Sequence, residues 1–354
     1  MPFDAARTLI VEATTDGAFP AAVVDVGSSA GVEWTEAFGR HTYDSRSPST
    51  DLDTVFDLAS LTKVIAATTV VMTQVQEGLL HLSDPIGRWL GAWRQDEGGN
   101  VVTLWDALAH TAGLPDWLPL YRHQRGADAF VDAIARTPRA YQPRTRSVYS
   151  DLGFMLLGFI AERAAATSLD RLFDTLSSTL GLGDIGFLPP DDWKRRAAPT
   201  EYDEWRSRLL VGEVHDENAA ALGGVAGHAG LFGTAAAVGR FARLTLRIRR
   251  GQTAPGWPVS PQTVRQFTSR VDIPGSSRAL GWDTMLPTSS CGTEMSPSAF
   301  GHVGFTGTSL WLDPALDFYA VLLTNRVYPS RDNTKIVAVR PAFHDAVVRE
   351  FKKA

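Results

Sequence analysis

Apolar residues recur every three to four positions over residues 5–17, and Gly17 follows as a stop, so the chain is expected to open on an amphipathic helix. Two runs of strand-forming residues come next, Ala21 to Val26 and Val32 to Phe38, with Ser28 to Gly31 between them as a hairpin turn. From Leu58 to about Glu162 the period turns helical. One long helix is expected over Val64 to Leu80, ending near Gly78. A second is expected in "LWDALAHTAGL", closed by Gly113, and a third over Leu152 to Ala165. Residues 185–230, with Pro189, Pro190 and a Gly/Ala/His-rich segment, read as irregular. A helix from Ala235 to Arg249 follows. Then come three consecutive strands in "LGWDTM", "FGHVGFTGTSLWLDP" and "DFYAVLLTN", and a last helix from about Val339 to Lys352.

Strands thus lie at both ends of the chain and helices in the middle. Pairing the two sets gives an α/β (α+β) fold: an antiparallel sheet flanked by helices, with an inserted all-helical region. Residues 1–57 and 231–354 would form the α/β region, 58–230 the mainly helical one, and a site is expected in the cleft between them.

Composition narrows the partners. The 354 residues carry a net charge of −5, which leaves no basic surplus to replace counterions on a nucleic acid. The densest basic run, Arg243 to Arg250, alternates with Leu and Ile and reads as a solvated face. Cys291 is the single cysteine, so no internal disulfide can form. No run of 18 apolar residues suggests a membrane span, and the first residues lack a basic segment ahead of an apolar core, so the cytoplasm is expected.

Only five lysines occur, and only Lys63 has a serine three residues before it, Ser60. On a helix the two share a face. Lys63 sits among Leu61, Val64, Ile65 and Ala66, so desolvation is expected to lower its pKa and let the amine take the serine proton. The alternative is a helix-capping serine and a lysine reaching solvent. Tyr149 and Asp151, in "YSD" ahead of a helix, offer a phenol that could relay a proton if a lysine holds its pKa down; the alternative is an ordinary N-cap. In "GHVGFTGTSLW", Gly304 and Gly307 let a ligand approach the backbone, and an edge strand there could offer N–H groups to an oxyanion.

Together these stretches resemble the serine β-lactamases and penicillin-binding proteins, in the class C-type branch with its family VIII carboxylesterase, D-aminopeptidase and muramoyl-alanine amidase relatives. Ser60-x-x-Lys63, Tyr149-Ser-Asp151 and His302-Val303-Gly304 stand in the order of that family's three motifs. The resemblance implies a serine hydrolase that works through an acyl-enzyme on esters or amides, with weak β-lactam hydrolysis. Ser60 would be the nucleophile, Lys63 the general base or proton relay, and Tyr149 the general acid/base. The backbone N–H groups of Ser60 and Phe305 would form the oxyanion hole, and Asp151, His302, Val303 and Gly304 would bind substrate. No cofactor or metal is implied. The partner expected is a small-molecule ester, amide or β-lactam, with no nucleic acid and no membrane. A true class C-like β-lactamase, a muropeptide amidase or D-peptidase, and a non-catalytic ligand-sensing module on the same fold are the alternatives.

Two departures stand out. Asp151 stands where the family resembled usually has Asn, and His302-Val303-Gly304 where it usually has Lys-Thr-Gly or a His variant. A partly charged imidazole and a missing hydroxyl weaken binding of the carboxylate that a β-lactam carries, which favours esters, amides or muropeptide-like substrates over efficient penicillin hydrolysis. In "GEVHDENAAALGGVAGHAGLFGTA", the side chains of His215, Asp216 and His228 are expected either to touch substrate or to pin a loop beside the site.

Overall fold

The computed structural model of the chain describes residues 3–93 and 101–353. Its centre is a six-stranded antiparallel sheet in the order Val32–Gly39, Ala21–Gly27, Phe318–Thr324, Ser309–Asp313, Phe300–Val303, Asp283–Thr284. The two ends of the chain meet in its middle, where Val23 opposes Leu323 and Val24 opposes Leu322. Both central strands are buried at every residue, which explains why they read as continuous apolar runs rather than as alternation.

The pleat divides those residues between two cores. Ala22, Val24, Val26, Ala320 and Leu322 pack with Ile10, Phe343 and Val347 of the terminal helices Asp4–Thr15 and Ile336–Phe351. Ala21, Val23, Val321 and Leu323 face the helical body, including Phe241 and Leu246 of the helix Ala235–Arg249 and the buried helix Asp151–Ala165. Among the described residues no single helix is long and apolar enough to cross a membrane. A second, three-stranded sheet runs in the order Phe56–Asp57, Leu231–Gly233, Ile185–Phe187, and its edge strand Phe56–Asp57 leads directly to Ser60.

Four sequence expectations change. The helix expected over Val64–Leu80 is π-helical from Lys63 to Thr68 and α-helical only over Thr69–Gln76. The Thr69 hydroxyl donates to the Val64 carbonyl at 2.9 Å, which favours the wider turn within this run of β-branched residues. The helix in "LWDALAHTAGL" covers only Leu104–Leu108, because His110 adopts a left-handed conformation at φ 58°. The strand expected in "FGHVGFTGTSLWLDP" is two, Phe300–Val303 and Ser309–Asp313, joined by a tight turn closed by a 2.8 Å bond from Gly304 N–H to the Thr308 carbonyl. Residues 185–230 are not wholly irregular, since they contain short helices at Asp191–Arg196 and Glu217–Ala221.

Candidate active site

Ser60 enters its helix from a strained turn. The preceding residue, Ala59, is left-handed at φ 46°, and its N–H donates to the buried Asp57 carboxylate at 2.8 Å. The Leu58 N–H donates to the Leu231 carbonyl at 2.9 Å, tying the segment to the small sheet. From the other side the Gly304–Thr308 turn clamps it: Thr306 Oγ1 donates to the Asp57 carbonyl at 2.7 Å, and Thr308 Oγ1 to the Leu58 carbonyl at 3.1 Å. The turn comes this close because residue 304 is glycine. A Cβ there would lie 2.1 Å from Thr308 Oγ1, 2.7 Å from the Leu58 carbonyl and 3.2 Å from Ala59 Cβ. Gly304→Ala is therefore expected to destabilise the fold by about 1–3 kcal/mol through overpacking. It should also lower kcat more than tenfold; chemical denaturation and steady-state ester hydrolysis check the two effects.

The three-residue spacing of Ser60 and Lys63 does bring them together. Lys63 is wholly buried; its ammonium donates to Ser60 Oγ at 2.9 Å and the His228 carbonyl at 3.0 Å, and it forms an ion pair with Asp151 Oδ1 at 2.7 Å. The Tyr149 hydroxyl lies 2.8 Å from Ser60 Oγ, and its ring centroid is 4.8 Å from Lys63 Nζ. The electrostatics differ from the sequence expectation. Burial does pull the Lys63 pKa down, but the charge of Asp151 outweighs it, so the ammonium is held above its ordinary range. Tyr149 is likewise pushed up, because burial outweighs the field of Lys63. The resting site therefore holds an ammonium and a neutral phenol.

His302 is buried, and burial followed by the charges of Arg278 and Lys63 pushes its pKa well below the ordinary imidazole value. Its Nδ1 lies 2.8 Å from the Val303 carbonyl, which can only accept, so Nδ1 carries the proton and Nε2 is a lone pair without a protein partner. The partial charge expected of His302 is absent. Gly301 and Phe300 pair outward with Asp283–Thr284, but that strand stops there and leaves the edge at His302 and Val303 open. The Ser60 and Phe305 N–H groups donate to no protein acceptor among the described residues.

These groups line one cavity of about 700 Å³, together with Asp116, Trp117, Arg278, Arg326 and Arg331. His215, Asp216 and His228 reach it too, while bonded within the protein. His215 Nε2 is 2.7 Å from Glu201 Oε2, and His228 Nε2 is 2.8 Å from Asp216 Oδ1. They pin the loop and border the cavity at once.

The Beta-lactamase family model matches residues 6–342. A provisionally named D-alanyl-D-alanine carboxypeptidase of Escherichia coli (strain K12) is 32% identical over 308 residues, 77% of this chain and 69% of that protein. One of the same name from Salmonella gallinarum (strain 287/91 / NCTC 13346) is 31% identical over 317 residues, 80% and 72% respectively. This chain belongs to the β-lactamase family. Solved structures agree on the fold. EstCE1, a hydrolase with promiscuous acyltransferase activity, superposes with a TM-score of 0.77 at 20% identity over 97% of each chain. A penicillin-binding protein homolog from Caulobacter crescentus gives 0.75 at 21% identity over 98% of this chain and 97% of that one.

Two residues of this β-lactamase-family site were not found in the sequence. His110 Nδ1 accepts the Ser150 N–H at 3.0 Å, and its ring lies 4.9 Å from that of Tyr149, so it fixes the "YSD" segment from below. Its signal was present in "LAHTAGL", a buried histidine between two small residues, but it was absorbed into the expected helix. Arg278 had no signal, since it lies in a loop outside any motif. Its guanidinium sits 5.0 Å from the centre of the Tyr149 ring and has no hydrogen-bonding or ion-pairing partner among the described residues.

Proposed function

We propose that this β-lactamase-family serine hydrolase uses Ser60 as its nucleophile, in acyl transfer to water from peptides that carry a free carboxylate next to the scissile bond. The observation that carries the nucleophile is Ser60 Oγ held at 2.9 Å from Lys63 Nζ and 2.8 Å from the Tyr149 hydroxyl. Ser60 Oγ attacks the carbonyl, whose oxygen moves between the Ser60 and Phe305 N–H groups as it gains charge. Tyr149, in contact with the nucleophile, gives its proton to the departing atom and orients the water that releases the acyl group. The open edge at His302–Val303 accepts an extended substrate backbone.

The carboxylate rests on Arg278. His302 is neutral, so the third motif itself offers an anion nothing, and an esterase for neutral substrates would follow if it stood alone. Arg278 supplies a cation at the same wall of the cavity, beside Tyr149 and without a protein anion. The names of the two carboxypeptidase relatives agree with this chemistry. A charge-assisted hydrogen bond contributes about 1.5–3 kcal/mol. Arg278→Gln is thus expected to lower kcat/KM for an N-acyl-D-alanyl-D-alanine peptide roughly ten- to a hundredfold, while p-nitrophenyl acetate changes less than threefold. Equal losses on both substrates would remove the carboxylate from this reading and leave the hydrolase.

A further inference from the structure

We propose that the Asp151 carboxylate is the proton acceptor for acylation, drawing the Ser60 proton through Lys63. This rests on Ser60 being the nucleophile and concerns what happens to its proton. The geometry narrows the choice. Lys63 Nζ donates to Ser60 Oγ and the His228 carbonyl and ion-pairs with Asp151 Oδ1, and as an ammonium it can take a proton only while giving one up. The Tyr149 hydroxyl is already protonated in the resting site. The His302 Nε2 lone pair has no hydrogen-bonding partner, so it touches none of Ser60, Lys63 or Tyr149. That leaves Asp151, separated from Ser60 Oγ by one ammonium group, with contacts of 2.9 Å and 2.7 Å on its two sides.

The remaining charged or titratable groups around the pair do not compete. Asp216 is occupied by His228 Nε2, His110 Nδ1 accepts from the Ser150 backbone, and Arg278 has no lone pair to offer. Asp151 itself is held by the first turn of its helix, with its N–H donating to the Asp116 carbonyl at 2.8 Å and its side chain at the cavity wall. This is a chemical consequence of an acid at position 151: an amide there could not accept a proton at any ordinary pH.

The step balances. As the Ser60 Oγ–carbon bond forms, Lys63 releases its Asp151-facing proton to Oδ1, and the lone pair this frees on Nζ takes the Ser60 hydroxyl proton, so the ammonium is restored. The carbonyl π electrons pass to the oxygen. On collapse they return, the bond to the leaving atom breaks, and that atom takes the Tyr149 proton. The proton parked on Asp151 returns through Lys63, which faces the Tyr149 oxygen, and restores the phenol.

The test is the pH profile of kcat/KM for p-nitrophenyl acetate, a substrate with no carboxylate, in the wild type, Asp151→Asn and Asp151→Glu. In Asp151→Asn the only acceptor left is the Lys63 amine, which must first lose a proton. The expected result is a loss of at least tenfold at pH 7, with the rising limb moved to higher pH by more than one unit. Asp151→Glu should recover most of the rate and return the limb, which a merely structural contact would not do. An Asn variant that keeps both the neutral-pH rate and the wild-type limb overturns the proposal, and so does a Glu variant no better than Asn. Intact-mass spectra after a phosphonate probe separate this from the wider reading. A Ser60 adduct with an unmoved limb sinks only the Asp151 relay, whereas no Ser60 adduct in the wild type sinks the nucleophile.

Discussion

Ser60→Ala is expected to lower turnover of activated esters and acyl-D-alanyl peptides by about 10⁴-fold or more, the scale on which removal of an acyl-accepting nucleophile is felt. The loss should be confined to chemistry. Ser60 is a partly buried side chain at the mouth of the cavity, and alanine leaves the strained turn at Ala59 and its bonds to Asp57 and Leu231 untouched. The melting temperature should therefore stay within a few degrees. The substitution also removes the one hydroxyl that bonds both Lys63 and Tyr149, so no neighbouring group inherits the role. In the wild type, brief exposure to an activated ester followed by intact-mass spectrometry should show a single acyl adduct, mapped to Ser60. Undiminished turnover in Ser60→Ala, or an adduct on another residue, would overturn the proposed chemistry from its first step.

How much of this was readable in the chain depends on the range of the cause. The central strands were legible because their residues are buried on both faces and carry continuous apolar runs, and the helices Ala235–Arg249 and Asp151–Ala165 fell within a residue of their expected limits. Ser60 and Lys63 were legible because i and i+3 meet on a helix whatever surrounds them. The sign of the Lys63 shift was not. Local neighbours predict desolvation alone, while the deciding charge, Asp151, comes from a helix 88 residues later and is set by tertiary packing. The same holds for Arg278, brought to Tyr149 across 129 positions, with no spacing that could announce it. The helix expected through His110 failed for a different reason. Its periodicity is helical, but the residue is needed with a left-handed backbone to accept the Ser150 N–H, and that requirement overrides the pattern.

Lys63→Met and Tyr149→Phe are each expected to lower kcat by roughly 10²–10⁴-fold, the span of a lost proton-transfer group. The double variant should fall little below the worse single one. The reason is that the proton drawn from Ser60 through Lys63 is the one that restores Tyr149, so the two side chains share one proton circuit and the loss of either already breaks it. Losses that simply multiply would mean that the two groups work on separate steps. Stability offers an independent reading of the same lysine. Removing a buried ammonium leaves the Asp151 carboxylate without its counter-charge, which costs about 3–5 kcal/mol when one partner of a buried pair is deleted. Lys63→Met should therefore unfold at distinctly lower denaturant, and Lys63→Met/Asp151→Asn should regain much of that stability because no lone charge remains buried. The double variant should stay inactive all the same. Recovered stability without recovered turnover separates the two things Lys63 does: balancing a charge inside the fold, and carrying the proton that Ser60 must lose.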